Sequence, residues 1–229
     1  MKRYINYLVM VTISSILLTA CSKDNFKYEP GHVGSSKITN YAVFTLKNIV
    51  VANGLSYTAI AKGSAYTEPG VEAKAGSETL KVTTSGTVDT STPGVYVITY
   101  GATNSDGFDA TANRYVVVYS TDASAASHDF SGSYIRTSNQ LIAKWAKIGP
   151  GVYSVLNPGG AANTNLTVVA FNDTANHIFI PQQDASDGSS TKSKSESTTV
   201  SPDGILTRYS MIIVNPGYGA GLRTFNISQ

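Results

Sequence analysis

"GVYVITYGAT" (94–103) is held between two turn-forming clusters, Thr92-Pro93-Gly94 before it and Asn104-Ser105-Asp106-Gly107 after it. In an extended chain successive side chains point to opposite faces. Tyr96, Ile98 and Tyr100 then share one face, and Val95, Val97 and Thr99 share the other. β-Branched and aromatic residues of this kind fit a pleated surface, and Pro-Gly and Asn/Asp-Gly clusters end it. The stretch reads as one β-strand.

The same alternation recurs outward from it. "KITNYAVFTL", "LSYTAIA", "ETLKVTTSG" and "ANRYVVVYS" carry similar residues, separated by Asn53-Gly54, Glu68-Pro69-Gly70 and Ala75-Gly76-Ser77. Short strands at this spacing predict a β-sandwich over 38–120. Charged residues make up 14% of the chain, well under the roughly 25% usual in soluble domains. Ser, Thr, Asn and Gly supply the polarity, and no helical periodicity appears beyond residue 21. The expected fold class is all-β.

A small, polar run, "STDASAASHD" (120–129), marks a boundary, with 121–129 as a linker. Beyond it "SGSYIRTS", "LIAKWAKIG", "GVYSVLN", "LTVVAFN", "HIFIPQ", "TRYSMIIV" and "LRTFNIS" read as seven strands. Gly149-Pro150-Gly151, Asn157-Pro158-Gly159-Gly160 and Asn215-Pro216-Gly217 read as turns between them. Residues 130–229 are thus a second compact antiparallel β-domain, a sandwich or a small barrel. Residues 182–204 hold almost no apolar side chain and read as a polar surface loop or hairpin.

The first unit resembles the bacterial surface immunoglobulin-like family of Bacteroidota lipoproteins and some insecticidal crystal toxins. The likeness rests on Tyr66, Glu68, Pro69, Gly70 and Ala73, then Val88, Asp89, Thr90, Pro93, Gly94 and Tyr96. Tyr100, Ala102, Asn104, Gly107 and Arg114 complete it. It implies an Ig-like sandwich used as a spacer or adhesive module, with no catalytic residues to transfer. The second unit is similar to the C-terminal domain accompanying that module in Bacteroidota outer-membrane lipoproteins, often tied to glycan utilisation. Gly132, Tyr134, Gly149, Gly151, Tyr153, Gly160 and "LRTFNI" carry that likeness.

The chain opens "MKRYINYLVMVTISSILLTACSKDN", and Cys21 is its single cysteine. Lys2 and Arg3 form a positive start, an apolar run reaches Leu18, and Thr19 and Ala20 are small. This is the three-part form of a secretory signal over 1–20 and is too short to span a bilayer permanently. "LLTAC" resembles the bacterial lipobox, which implies cleavage before Cys21, diacylglycerol on its thiol and palmitate-type acyl chains. Burying acyl methylenes at ~0.8 kcal/mol each makes two or three chains a lasting anchor. Residues 21–37 then read as the lipidated cysteine and a flexible spacer. Lys23-Asp24 resembles a short version of the export signal of Bacteroidota lipoproteins, which implies display on the outer face. The expected location is the outer membrane, lipid-anchored at the cell surface.

Removal of Lys2 and Arg3 balances the remaining fifteen basic against fifteen acidic side chains, so no cationic footprint for nucleic acid exists. His32, His128 and His177 lack the spacing of a zinc site, and no cofactor is expected. No Gly-x-Ser-x-Gly elbow or phosphate-cradling Gly-Lys loop occurs. Asp106 to Asp109 read as a hairpin turn; an EF-hand calcium loop would need a longer ligand set. The chain is expected to work by contact and not as an enzyme.

Flat faces for sugar rings could come from Trp145, Tyr134, Tyr153, Tyr209 and Tyr218, with Asn157, Asn163 and Gln182 as polar neighbours. Trp145 alternates with Ala143 on one face of its strand, which suits either a core or a platform. Asp173-Thr174-Ala175 is similar to the acceptor triplet for Bacteroidota O-glycosylation, which would place a glycan on Thr174. Two uses remain open: an accessory protein binding or presenting polysaccharide beside an outer-membrane uptake complex, or a structural or adhesive envelope protein.

Overall fold

The computed structural model describes residues 39–228. Cys21, the leader, His32 and the spacer lie outside that range. Among the described residues strand content dominates, and the one helix, α1 (Ala123–Ala126), is a single turn.

The first module has two sheets. The smaller is β1 (Val43–Leu46), β4 (Val71–Ala75) and β5 (Glu78–Thr79), in the order β1-β4-β5. The larger runs β2-β3-β8-β7-β6, from β2 (Val50–Ala52), β3 (Leu55–Ala61), β6 (Thr83–Ser85), β7 (Gly94–Thr103) and β8 (Asp109–Tyr119). The quoted stretch is β7, paired with β8 along its whole length. Its two faces part as the alternation predicts: Tyr96, Ile98 and Tyr100 enter the sandwich core, and Val95 and Val97 pack on the second module. Asn53 (φ 48°) and Gly54 (φ 78°) make the β2–β3 turn, where only residues tolerant of positive φ fit. Between β7 and β8 the turn is organised by Asn104, whose Oδ1 accepts from the amides of Asp106 and Phe108 at 3.1 and 2.8 Å.

Inside the sandwich lies a charged network. Arg114, fully buried, donates from Nε to the Tyr100 hydroxyl (2.8 Å), from Nη1 to Thr58 (2.9 Å) and from Nη2 to the Gly70 carbonyl (3.2 Å). Glu68 stands 3.3 Å from Arg114 Nε and accepts from the hydroxyls of Tyr100 and Tyr66 and from the Gly70 amide. Every member has a partner, which is what makes burial of the charge tolerable.

The second module is one nine-stranded antiparallel sheet: β13 (His177–Phe179), β12 (Thr167–Thr174), β11 (Val152–Leu156), β10 (Ile142–Gly149), β9 (Gly132–Arg136), β17 (Arg223–Ile227), β16 (Leu206–Val214), β15 (Ser190–Val200) and β14 (Gln183–Asp184). Register shifts in β10, β12 and β15 mark bulges, which bend strands and raise twist. The sheet curls until its ends meet: Ser193 N donates to Ile180 O at 2.9 Å, and Ile180 N to Ser193 Oγ at 2.7 Å. Gln183 completes the seam, accepting from Val169 N (2.8 Å) and donating to Val169 O (2.7 Å) as a strand backbone would. Of the two architectures expected, the barrel is the one formed.

Two sequence readings are sharpened here. Of the loop or hairpin expected over 182–204, the hairpin is the one formed: Gln183–Asp184 pairs with Ser190–Val200, an eleven-residue strand that also pairs with β16, so the run is not a loop. Ladder hydrogen bonds come from the backbone, so a Ser/Thr/Lys-rich segment joins a sheet when its neighbours carry the apolar burial. Residues 121–129 are no free linker either. Asp122 caps α1 through its side chain, and Asp122 N donates to Asp173 O at 2.7 Å. Ala125 is fully buried, and Lys147 Nζ donates to the His128 carbonyl, so this segment closes one end of the barrel.

The modules share an apolar core. Ala52, Tyr57, Tyr115 and Val117 of the sandwich meet Ile148, Val152, Val169 and Phe171 of the barrel wall. Buried Ser154 shares a hydrogen bond with Tyr57 Oη (2.9 Å) and accepts from Asn53 Nδ2 (3.1 Å). Strands β10 to β12 are therefore covered on both faces, and the described residues from Asn40 onward form one compact unit.

Candidate functional site

The predicted sugar platforms are mostly inside the barrel. Trp145 is 4% exposed, Tyr134 and Tyr209 are 1%, and Tyr153 is 0%. Trp145 Nε1 donates to the Tyr209 hydroxyl (3.1 Å); Tyr209 stacks on Phe225 at 4.8 Å and meets Tyr134 edge-on at 5.3 Å. Tyr134 and Tyr153 donate to the carbonyls of Phe130 and His128, both at 2.9 Å. Burial pushes the Tyr153 phenol up to about 12 and those of Tyr134 and Tyr209 further still. These four rings are core, because a barrel of this size fills its lumen with the large members of each alternating set. Tyr218 is half-buried beneath the Arg223 guanidinium, 4.9 Å from its ring centre.

The polar neighbours do not converge. Asn157 holds its own turn, donating to the carbonyls of Ile142 and Ala161 at 3.1 Å. Asn163 is exposed at a left-handed position, and Gln182 donates to Ser190 Oγ. Thr174 is exposed at the end of β12, an accessible position for an O-glycan acceptor.

A different site emerges where the modules meet. Pro93 and Ser120 from the sandwich side and Phe171, Asp173, Phe179 and Pro181 from the barrel line a cleft of about 250 Å³. Phe171 and Phe179 are cross-strand partners on β12 and β13, stacked at 5.6 Å. His177, two residues before Phe179, stacks on it at 5.3 Å and meets Asp173 Oδ1 through Nδ1 at 2.6 Å. Asp173 is held from behind, because its carbonyl accepts from Asp122 N. The cleft offers apolar ring and proline surface beside a carboxylate and a hydroxyl. Its volume is just below the ~300 Å³ at which drug-sized sites begin, so it suits a single ring and not an extended chain. Asp173 is the one carboxylate among its lining residues. Paired acids for glycoside hydrolysis would have to face each other across a cleft.

Sequence reading missed this site because Pro93 and Phe179 are far apart along the chain. One local signal did exist. In "HIFIPQ" the alternation puts His177 and Phe179 on the face opposite Ile178 and Ile180, and the isoleucines are the ones in the barrel core.

A larger groove of about 520 Å³ runs past Tyr66, Glu68, Thr84, Gly86, Val88, Thr90 and Ile98. Its charged group is already committed to the Arg114 network. Burial alone would raise the Glu68 carboxyl, but hydrogen bonds from Tyr100, Tyr66 and Gly70 and the charge of Arg114 hold it below the usual range. That groove is scaffold.

No curated protein matches the chain. Among solved structures, the lipoprotein BT2262 from Bacteroides thetaiotaomicron aligns over 81% of this chain and 98% of its own, at 20% identity and a TM-score of 0.41. A family model described as "Bacterial surface protein, Ig-like domain" matches residues 51–118. That span runs from β2 to β8, so it includes the quoted strand and the Glu68–Arg114 network. Over residues 51–118, the chain carries an Ig-like domain of the kind found in bacterial surface proteins.

Proposed function

We propose that this protein is a non-enzymatic lipoprotein of the bacterial outer membrane, anchored through acylated Cys21, whose paired modules present a saccharide-binding cleft at the cell surface. The reading rests on the junction cleft, where the Phe171–Phe179 stack lies beside Asp173 and Ser120. Aromatic surface takes the C–H face of a sugar ring, and the carboxylate and hydroxyl take its hydroxyl groups. Because Pro93 and Ser120 come from one module and the rest from the other, the cleft depends on their fixed junction. The uptake complex beside which such a protein would sit belongs to the same proposal.

The test is a glycan array probed with the full-length protein in detergent, alongside Phe179→Ala and Asp173→Asn. Retention of a polysaccharide that falls at least tenfold in both variants is the expected result. If the array retains nothing, the reading gives way to structural or adhesive contact. Exposed Tyr41, Val43, Val50 and Val51 favour that second role, the last three on the sheet-edge strands β1 and β2.

A further inference from the structure

The barrel end opposite α1 holds two arginines without an acid. Arg136 is the cross-strand partner of lumen-facing Phe225, and Arg223 precedes Phe225 by two residues on β17. Side-chain alternation therefore turns both guanidinium groups toward the same end of the lumen. The two Asn-Pro-Gly turns close over them, because an added Cβ on Gly159 would stand 2.7 Å from the Tyr218 ring.

Arg136 Nη1 donates to the carbonyls of Gly159 (3.2 Å) and Gly160 (3.1 Å). Arg223 Nη1 donates to those of Gly219 (3.2 Å) and Gly221 (3.0 Å). Each Nε–H is buried with no hydrogen-bond partner, and Arg223 is 7% exposed. Among the described residues neither arginine forms an ion pair. Asp187, the acid whose charge reaches Tyr218, accepts through Oδ1 from both the amide and the hydroxyl of Ser189. Burial, and then the positive charge of Arg136, lower the Arg223 pKa, as expected for like charges brought together out of water.

Carbonyls satisfy some N–H groups but do not neutralise two cations. The Nε–Nη2 edge of a guanidinium is a planar fork that matches two oxygens of one anion. A Cβ on Gly219 or Gly221 would meet nothing within 4 Å, so the turn backbone that Arg223 Nη1 holds borders open space. We propose that this end of the barrel binds an oxyanion, a carboxylate, sulfate or phosphate group, between the side chains of Arg136 and Arg223. It is separate from the junction cleft, which lies at the α1 end, so either site can fail without the other.

The test is equilibrium dialysis of the full-length protein against labelled inorganic sulfate at low ionic strength. One saturable site is expected, displaced by phosphate and by glucuronate but not by chloride at equal ionic strength. Arg223→Met should weaken binding at least tenfold. Arg223→Lys, which keeps the charge and loses the fork, should weaken it less while leaving the melting temperature within a few degrees. Stronger displacement by glucuronate than by phosphate assigns the site to an acidic saccharide, and the reverse order to a free inorganic anion. Absence of saturable sulfate binding to the unsubstituted protein would overturn the proposal, as would equal binding by both variants and the parent.

Discussion

Trp145 and Glu68 show how much one side chain can carry. Trp145 sits among Tyr134, Tyr153 and Tyr209 with ring centres 5.2 to 6.0 Å away, and its indole N–H is spent on Tyr209. Trp145→Ala removes that packing and opens a cavity, so it should cost about 3–5 kcal/mol, read as a fall in the urea midpoint. The variant is a core lesion and not a binding control. Glu68 supplies a pH dependence. Its carboxyl is held below its ordinary value in the folded chain, so its contribution to stability is present above that ordinary value, about 4.3. It is lost as pH falls through the lower folded value. Glu68→Gln should flatten the acid limb of a melting-temperature profile relative to the parent, and an unchanged limb would contradict this account. At this scale the sequence showed which residues alternate. It did not show which side of the barrel wall each set would take, because Trp145 would satisfy the same pattern facing either way.

β15 and the β14 residue Gln183 belong to the scale of elements. The apolar strands β7 to β12 were legible from period and turn residues, since burial on one or both faces writes itself into side-chain type. β15 was not, because its partners β16 and β13 supply the apolar surface and it contributes backbone pairing. Only Thr191 among its eleven residues is buried. Seam closure then rests on Gln183, whose amide serves both polar groups of buried Val169. Gln183→Leu leaves one donor and one acceptor unpaired at ~1–3 kcal/mol each, so a loss of about 2–6 kcal/mol is expected. Hydrogen exchange at the Val169 amide should accelerate with it, whereas the Arg114 region should keep its protection.

For the whole molecule the deciding feature is the shared core at the junction. Tyr57, Val117, Val152 and Phe171 are buried there because each module lends a face to the other. Calorimetry of the full-length protein should therefore give one cooperative transition over both modules, with calorimetric and van't Hoff enthalpies that agree. Two separated transitions would show the modules to be independent. The sequence by itself determined the strand-rich class, the turns and the Ig-like span, because these follow from local alternation, backbone restrictions and short motifs. Only the tertiary structure decided that the second module closes as a barrel, that its aromatics fill the lumen, and that Phe179 and Pro93 share a cleft while Arg136 and Arg223 share a lumen end. Those outcomes depend on which distant faces meet, and a face that is apolar in sequence records that it will be covered without recording by what.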